Sequence, residues 1–181
     1  IGTVANELFV PKISKKLQNN IYDLISYIYL SLGYNDGPGH AEIIVNKNKK
    51  IGIVEFAGRG PGFDMFDKFI PNVTGINLPK VTILQSIRKL KNFDNNIKLN
   101  FAIMKYFETH KGKIKNVIDS KNFKKLKEVY NKNFLQKNKI TKKASSDGDR
   151  LGYILCVDKD YNTIKNKLKL ILKKNKYEYY W

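Results

Sequence analysis

His40-Ala-Glu-Ile-Ile-Val-Asn-Lys-Asn-Lys-Lys-Ile-Gly-Ile-Val-Glu-Phe-Ala-Gly-Arg59 is two alternating runs rich in β-branched residues around a polar Asn/Lys centre. That is the pattern of a β-hairpin. With Asn48-Lys49 as a two-residue turn, Glu42 falls directly opposite Glu55. Both carboxylates then share one face, with Cβ atoms roughly 5 Å apart. Like charges so placed destabilise a sheet unless something positive sits between them. A divalent cation, which takes oxygen ligands, meets that need. The same alternation puts His40, Ile44 and Ile53 on the glutamates' face. It puts Ile43, Val45, Val54 and Phe56 on the other, core-packing face. The hairpin runs into Gly58-Arg59-Gly60-Pro61-Gly62, whose glycines let a backbone approach an anion. Paired acids, an arginine and a glycine loop point to metal-bound phosphate chemistry.

The chain has 181 residues, 42% of them hydrophobic, enough for one large or two small folded domains. Its apolar runs fall well short of the ~20 residues of a spanning helix, and no secretory signal pattern opens the chain. A start at Ile1 rather than Met leads us to expect a piece of a longer protein. One cysteine, Cys156, admits no internal disulfide, which suits a reducing, cytoplasmic setting. It lies in the apolar run Tyr153–Val157 and reads as a buried strand residue. The net charge of +18 raises nucleic-acid binding as a function. Against it, the basic residues are nearly all lysines spread along the chain. Arginine, the residue of planar bidentate contacts, occurs only at 59, 88 and 150.

Along the chain, residues 1–11 read as an extended segment closed by Pro11. Ser14 caps a helix marked by Leu17, Ile21, Leu24, Ile25, Ile28 and Leu32, with Gly33 at its end. A turn cluster at 35–39 precedes the hairpin at 40–57. A short helical piece at 63–69, a break at Gly75–Pro79 and a helix over 81–90 follow. Polar residues 91–96 mark a boundary, dividing the chain into domains 1–96 and 97–181. Strands are expected at 99–107, 113–118, near Phe134, at 151–157 and at 177–181, while 123–130 is ambiguous. Asp160 caps a last helix carrying Tyr161, Ile164, Leu168, Ile171 and Leu172. The fold class is therefore α+β.

The order and spacing of the hairpin residues resemble the C-terminal part of the catalytic domain in the ATP-grasp superfamily. Members carry a glutamate on one strand, and a dozen or so residues later a pattern Glu-x-Asn-x-Arg. Glu42 matches the first metal ligand, Glu55 the second and Arg59 the phosphate-binding arginine. Gly37-Pro-Gly-His-Ala-Glu42 resembles the Gly-Pro-x-His-x-Glu run of the carbamoyl-phosphate-synthase-like and amino-acid-ligase branches, and Gly75-Ile-Asn-Leu78 resembles a segment that follows it. Ser145-Ser-Asp-Gly-Asp-Arg-Leu-Gly-Tyr-Ile154 is similar to a strand in the C-terminal domains of these ligases. The resemblance implies half of an ATP-grasp domain, an antiparallel sheet with flanking helices, followed by a small α+β domain.

It further implies ATP and Mg²⁺ (or Mn²⁺) as cofactors, with a small carboxylate and a nucleophile as co-substrates joined through an acyl phosphate. Glu42 and Glu55 would hold the metal, Arg59 would act on the transferring phosphoryl group, and Gly60, Gly62 and His40 would lie against substrate. The missing N-terminal half would supply the rest of the ATP site, this part alone would be inactive, and a homodimer is admitted. The family's metal-assisting asparagine is Ala57 here. Each assignment has a plainer counterpart. The glutamates would pair with Lys47, Lys49 or Lys50 on a solvated hairpin, Arg59 would form a surface ion pair, and His40 would be a hydrogen-bonded structural residue. His110 reads as an exposed turn residue, and Asp149 and Arg150 as residues that hold the second domain together. The alternative class is a non-catalytic basic module for nucleic acid or an acidic partner.

Overall fold

The computed structural model describes residues 4–91, 97, 99–116, 129–133, 136–174 and 178–180. Among these no helix is long and apolar enough to cross a membrane. The chain divides into two compact units. One comprises Pro11–Pro71 with Ile76–Ile97 and carries the hairpin; the other comprises Ile1–Val10, Asn72–Gly75 and Lys98–Trp181. The sequence reading drew a single cut between 96 and 97.

In the hairpin unit, helix α1 (Lys15–Ser31) starts where Ser14 Oγ accepts a hydrogen bond from Leu17 N at 3.3 Å. Its end is closed by the bonds Tyr34 N to Tyr29 O and Gly33 N to Leu30 O, with Gly33 at φ +73°. This is the Schellman arrangement, which needs a left-handed residue after the cap. The reversal brings Tyr34 back beside Tyr29, with ring centroids 5.5 Å apart. The hairpin follows as β2 (His40–Val45) and β3 (Ile51–Ala57). A π-helical turn at Met65–Phe69 leads into α2 (Ile70–Thr74), of which Asn72–Thr74 belong to the other unit, and α3 (Leu78–Ser86) follows in the hairpin unit. Helix α3 begins earlier than its apolar spacing suggested. Asn77 Oδ1 accepts from Lys80 N, and Pro79 sits in the first turn, where its missing N–H costs nothing. Of the hairpin unit's described residues only Phe69 is fully buried.

The sheet unit holds the core. Strands β1 (Glu7–Phe9), β4 (Phe101–Tyr106), β6 (Val129–Asn133) and β8 (Gly152–Asp158) form an antiparallel sheet in the order β1-β4-β8-β6. All of Gly152–Val157 is buried, so β8 is covered on both faces, as its continuous apolar run foretold. Helix α4 (Tyr161–Lys174) lays Ile164, Leu168 and Ile171 against Ile103, Ile154 and Cys156. It starts at Asp160, whose carboxylate accepts from Thr163 N and Thr163 Oγ1, both at 2.7 Å. Burial among these side chains pushes the Cys156 thiol up to about 11. A second sheet, β7-β5-β9, joins β5 (Gly112–Asn116), β7 (Ile140–Thr141) and β9 (Glu178–Tyr180). The two-residue β7 was not foreseen. The strand expected near Phe134 lies outside the described residues, as does most of the ambiguous stretch 123–130.

The Ser145–Arg150 segment, read as a motif, is a structural turn in this unit. The Asp149 carboxylate accepts from the N–H and hydroxyl of both Ser145 and Ser146, and Lys142 Nζ lies 2.9 Å from it. These partners hold its carboxyl far below the usual range, the Ser145 backbone bond most of all. Arg150 pairs with Asp147 at 2.7 Å, donates to Ala5 O at 2.7 Å and stacks on Tyr106, 3.5 Å from the ring centroid.

Candidate functional site

The hairpin sets Glu42 opposite Glu55, as expected, but by a different route. The turn is not Asn48-Lys49. Asn46 N bonds to Lys50 O, Lys49 N bonds to Asn46 O, and Lys49 takes a left-handed φ of +61°. The loop is therefore the three residues Lys47-Asn48-Lys49. Asn46 Oδ1 supports it by accepting from Asn48 N and Lys50 N. That turn pairs Val45 with Ile51, Ile44 with Gly52 and Ile43 with Ile53. The register then shifts between Glu42 and Ile43, so that Val54 is an extra residue on β3, and Glu42 meets Glu55. Ile53 consequently lies with Ile43, away from the glutamates' face, correcting the alternation drawn from an unbroken hairpin.

His40 pairs with Ala57 at the open end of the ladder. Tyr29 reaches this end from α1. Its Oη lies 2.7 Å from His40 O and 3.0 Å from Ala57 O, one hydroxyl proton shared between two carbonyls. Its ring meets Phe56 edge-on at 5.3 Å. Tyr34 donates to Pro38 O at 2.9 Å. Both rings depend on glycine neighbours. A Cβ on Gly39 would fall 2.8 Å from the Tyr29 ring, and one on Gly58 2.9 Å from that of Tyr34. Neither tyrosine was singled out from the sequence. The available signal was their place at the closing turn of α1, which the apolar count passed over.

Glu42 and Glu55 are exposed. Arg59 follows four residues after Glu55, with Nη2 3.6 Å from Glu55 Oε1 and Nη1 donating to Gly60 O at 3.1 Å. None of Lys47, Lys49 and Lys50 forms an ion pair with either glutamate among the described residues. Gly60 packs so closely on Phe66 that a Cβ would lie 2.3 Å from the ring, whereas Gly62 has open space around it. The imidazole Nδ1 of His40 is buried and makes no hydrogen bond in this structure. The structure thus brings Glu42, Glu55 and Arg59 together, with His40 at the same ladder's end and Gly60 next to Arg59. No group of three or more His, Cys, Asp or Glu residues able to hold a metal occurs among the described residues. Two exposed carboxylates on one face suit Mg²⁺, which is held by one or two carboxylates with phosphates completing its shell, rather than a cage made by protein alone.

No family model matches the sequence, and no curated protein matches it. Solved structures do. The L-amino acid ligase of Bacillus licheniformis superposes with a TM-score of 0.83 at 16% identity, covering 99% of this chain and 45% of that one. Phosphoribosylglycinamide synthetase from Anaerococcus prevotii gives 0.80 at 17% identity, covering 99% and 48%. The biotin carboxylase domain of the Hydrogenobacter thermophilus 2-oxoglutarate carboxylase, solved with MgADP, ADP and bicarbonate, gives 0.71 at 11% identity, covering 96% and 39%. The fold is that of the matched parts of these ligases, in keeping with the resemblance to ATP-grasp enzymes. The chain spans less than half the length of each of these three chains.

Proposed function

We propose that this chain is part of an ATP-dependent ligase and supplies the metal–phosphate side of its nucleotide site. The observation that carries this is the Glu42–Glu55 pair with Arg59 beside it, on a fold shared with such ligases. Glu42 and Glu55 would hold Mg²⁺ (or Mn²⁺), which when bound neutralises phosphate charge. Arg59 would release Glu55 and engage a phosphoryl oxygen. Its present contact at 3.6 Å between two exposed side chains is a weak one. The reaction would be attack of a carboxylate on ATP to give an acyl phosphate and ADP. An amine or other nucleophile would then displace phosphate. Gly62, with room around it, and His40 would lie toward the acceptor; the close packing of Gly60 on Phe66 would shape the loop.

The test is a longer chain that carries the remainder of the ligase fold, assayed for carboxylate-dependent ADP release. Glu55→Gln should abolish turnover while leaving the circular dichroism spectrum and melting temperature unchanged. An unchanged rate sinks the metal assignment. Salt-dependent binding to polynucleotide by this chain, indifferent to Glu42→Gln, would favour the basic binding module instead.

A further inference from the structure

Two registers meet in the hairpin. Continued unbroken from its turn, the pairing would set Glu42 opposite Val54 and Ala41 opposite Glu55. Neighbouring positions along a strand face opposite ways, so the two carboxylates would then lie on opposite faces of the ribbon. The pairs observed beyond the bulge are Glu42 with Glu55, Ala41 with Phe56 and His40 with Ala57, all one residue out of step with the turn. A three-pair ladder beyond a bulge has little of its own to choose that register, and among the described residues the hairpin unit has almost no buried core to choose it instead. The open end of this ladder is where the tyrosines act. Tyr29 Oη spans the terminal pair, bonding His40 O on one strand and Ala57 O on the other. In the unbroken register His40 would face Phe56 instead, and Ala57 would face Gly39. The Phe56 ring lies against Tyr29, and Tyr34 holds the chain entering β2 at Pro38.

We propose that Tyr29, seconded by Tyr34, is a positioning residue that selects the bulged register and so holds Glu42 and Glu55 on one face as a divalent-cation site. This rests on the metal–phosphate reading, and the experiment separates the two. Mn²⁺ binding to the 181-residue chain is followed by the electron paramagnetic resonance of free Mn²⁺, well below the melting temperature. Glu42→Gln and Glu55→Gln should each weaken it; if neither does, the metal reading itself falls and the proposal with it. Tyr29→Phe keeps the ring and removes the hydroxyl proton shared by the two carbonyls, and should weaken Mn²⁺ binding about fivefold. Deleting Val54 in the Tyr29→Phe chain should restore affinity. The turn's own register then carries Glu55 opposite Glu42 without a bulge. If the glutamate variants lose Mn²⁺ but Tyr29→Phe only lowers the melting temperature, Tyr29 is merely structural. Weakening that the Val54 deletion does not rescue overturns the register account. Should Tyr29→Phe not fold, Tyr34→Phe with and without the deletion is read in the same way, with a smaller loss expected.

Discussion

At the scale of the residue, the glutamate pair was legible because side-chain direction along a strand has a period of two, so an assumed two-residue turn assigns both glutamates to one face. What was not legible is that two departures cancel. The loop is one residue longer than a two-residue turn, which alone would separate the carboxylates, and the bulge at Val54 brings them back together. Lys49 takes a left-handed conformation that nothing in its residue type announces, since glycine or asparagine is the ordinary occupant. The glycines after the hairpin also divide by tertiary contact. Gly60→Ala should destabilise the chain by roughly 1–3 kcal/mol, because a Cβ there overlaps the Phe66 ring. Gly62→Ala, with open space, should leave stability within about 0.5 kcal/mol of wild type. Urea unfolding midpoints of the two variants check this, and equal losses would show that the loop is held by something other than Phe66.

At the scale of the element, caps and periodicity were the readable parts. Ser14, Gly33 and Asp160 mark their helix ends as local chemistry requires. The buried run of β8 announced a strand covered on both faces. Apolar spacing alone places helix α3 late and makes Pro79 a break, whereas in a first turn proline is compatible with a helix once Asn77 caps it. The Ser145–Arg150 turn gives a pH-dependent prediction. The folded pKa of Asp149 lies below its ordinary value of 3.8. Its stabilising contribution is therefore present above that value and is lost as pH falls through the folded pKa. Asp149→Asn should lower the urea midpoint at neutral pH, and the gap from wild type should narrow progressively below pH 3.8. A gap that is constant with pH would mean the charge does not matter there.

At the scale of the whole molecule, the two units differ in what holds them. The sheet unit has a packed core of Ile103, Ile154, Cys156, Ile164 and Ile171. The hairpin unit leaves Tyr22, Tyr27, Leu30, Ile44 and Val54 more than half exposed. Its geometry depends instead on caps, ring contacts and hydrogen bonds. The expectation that follows from spanning less than half of the matched ligases is that this chain alone releases no ADP from ATP with any carboxylate, as measured by coupled assay. Turnover by the isolated chain would show that its own residues complete a nucleotide site. From the residues alone came the α+β class, the strand and helix periods, and the two alternating runs that carry Glu42 and Glu55. These follow from fixed geometry along one stretch of backbone. Folding in three dimensions settled the turn length, the bulge that puts both glutamates on one face, and the tyrosines that close the hairpin's open end. Alternative registers differ by one residue and by little local free energy, so the choice falls to contacts from α1, many residues away in the chain.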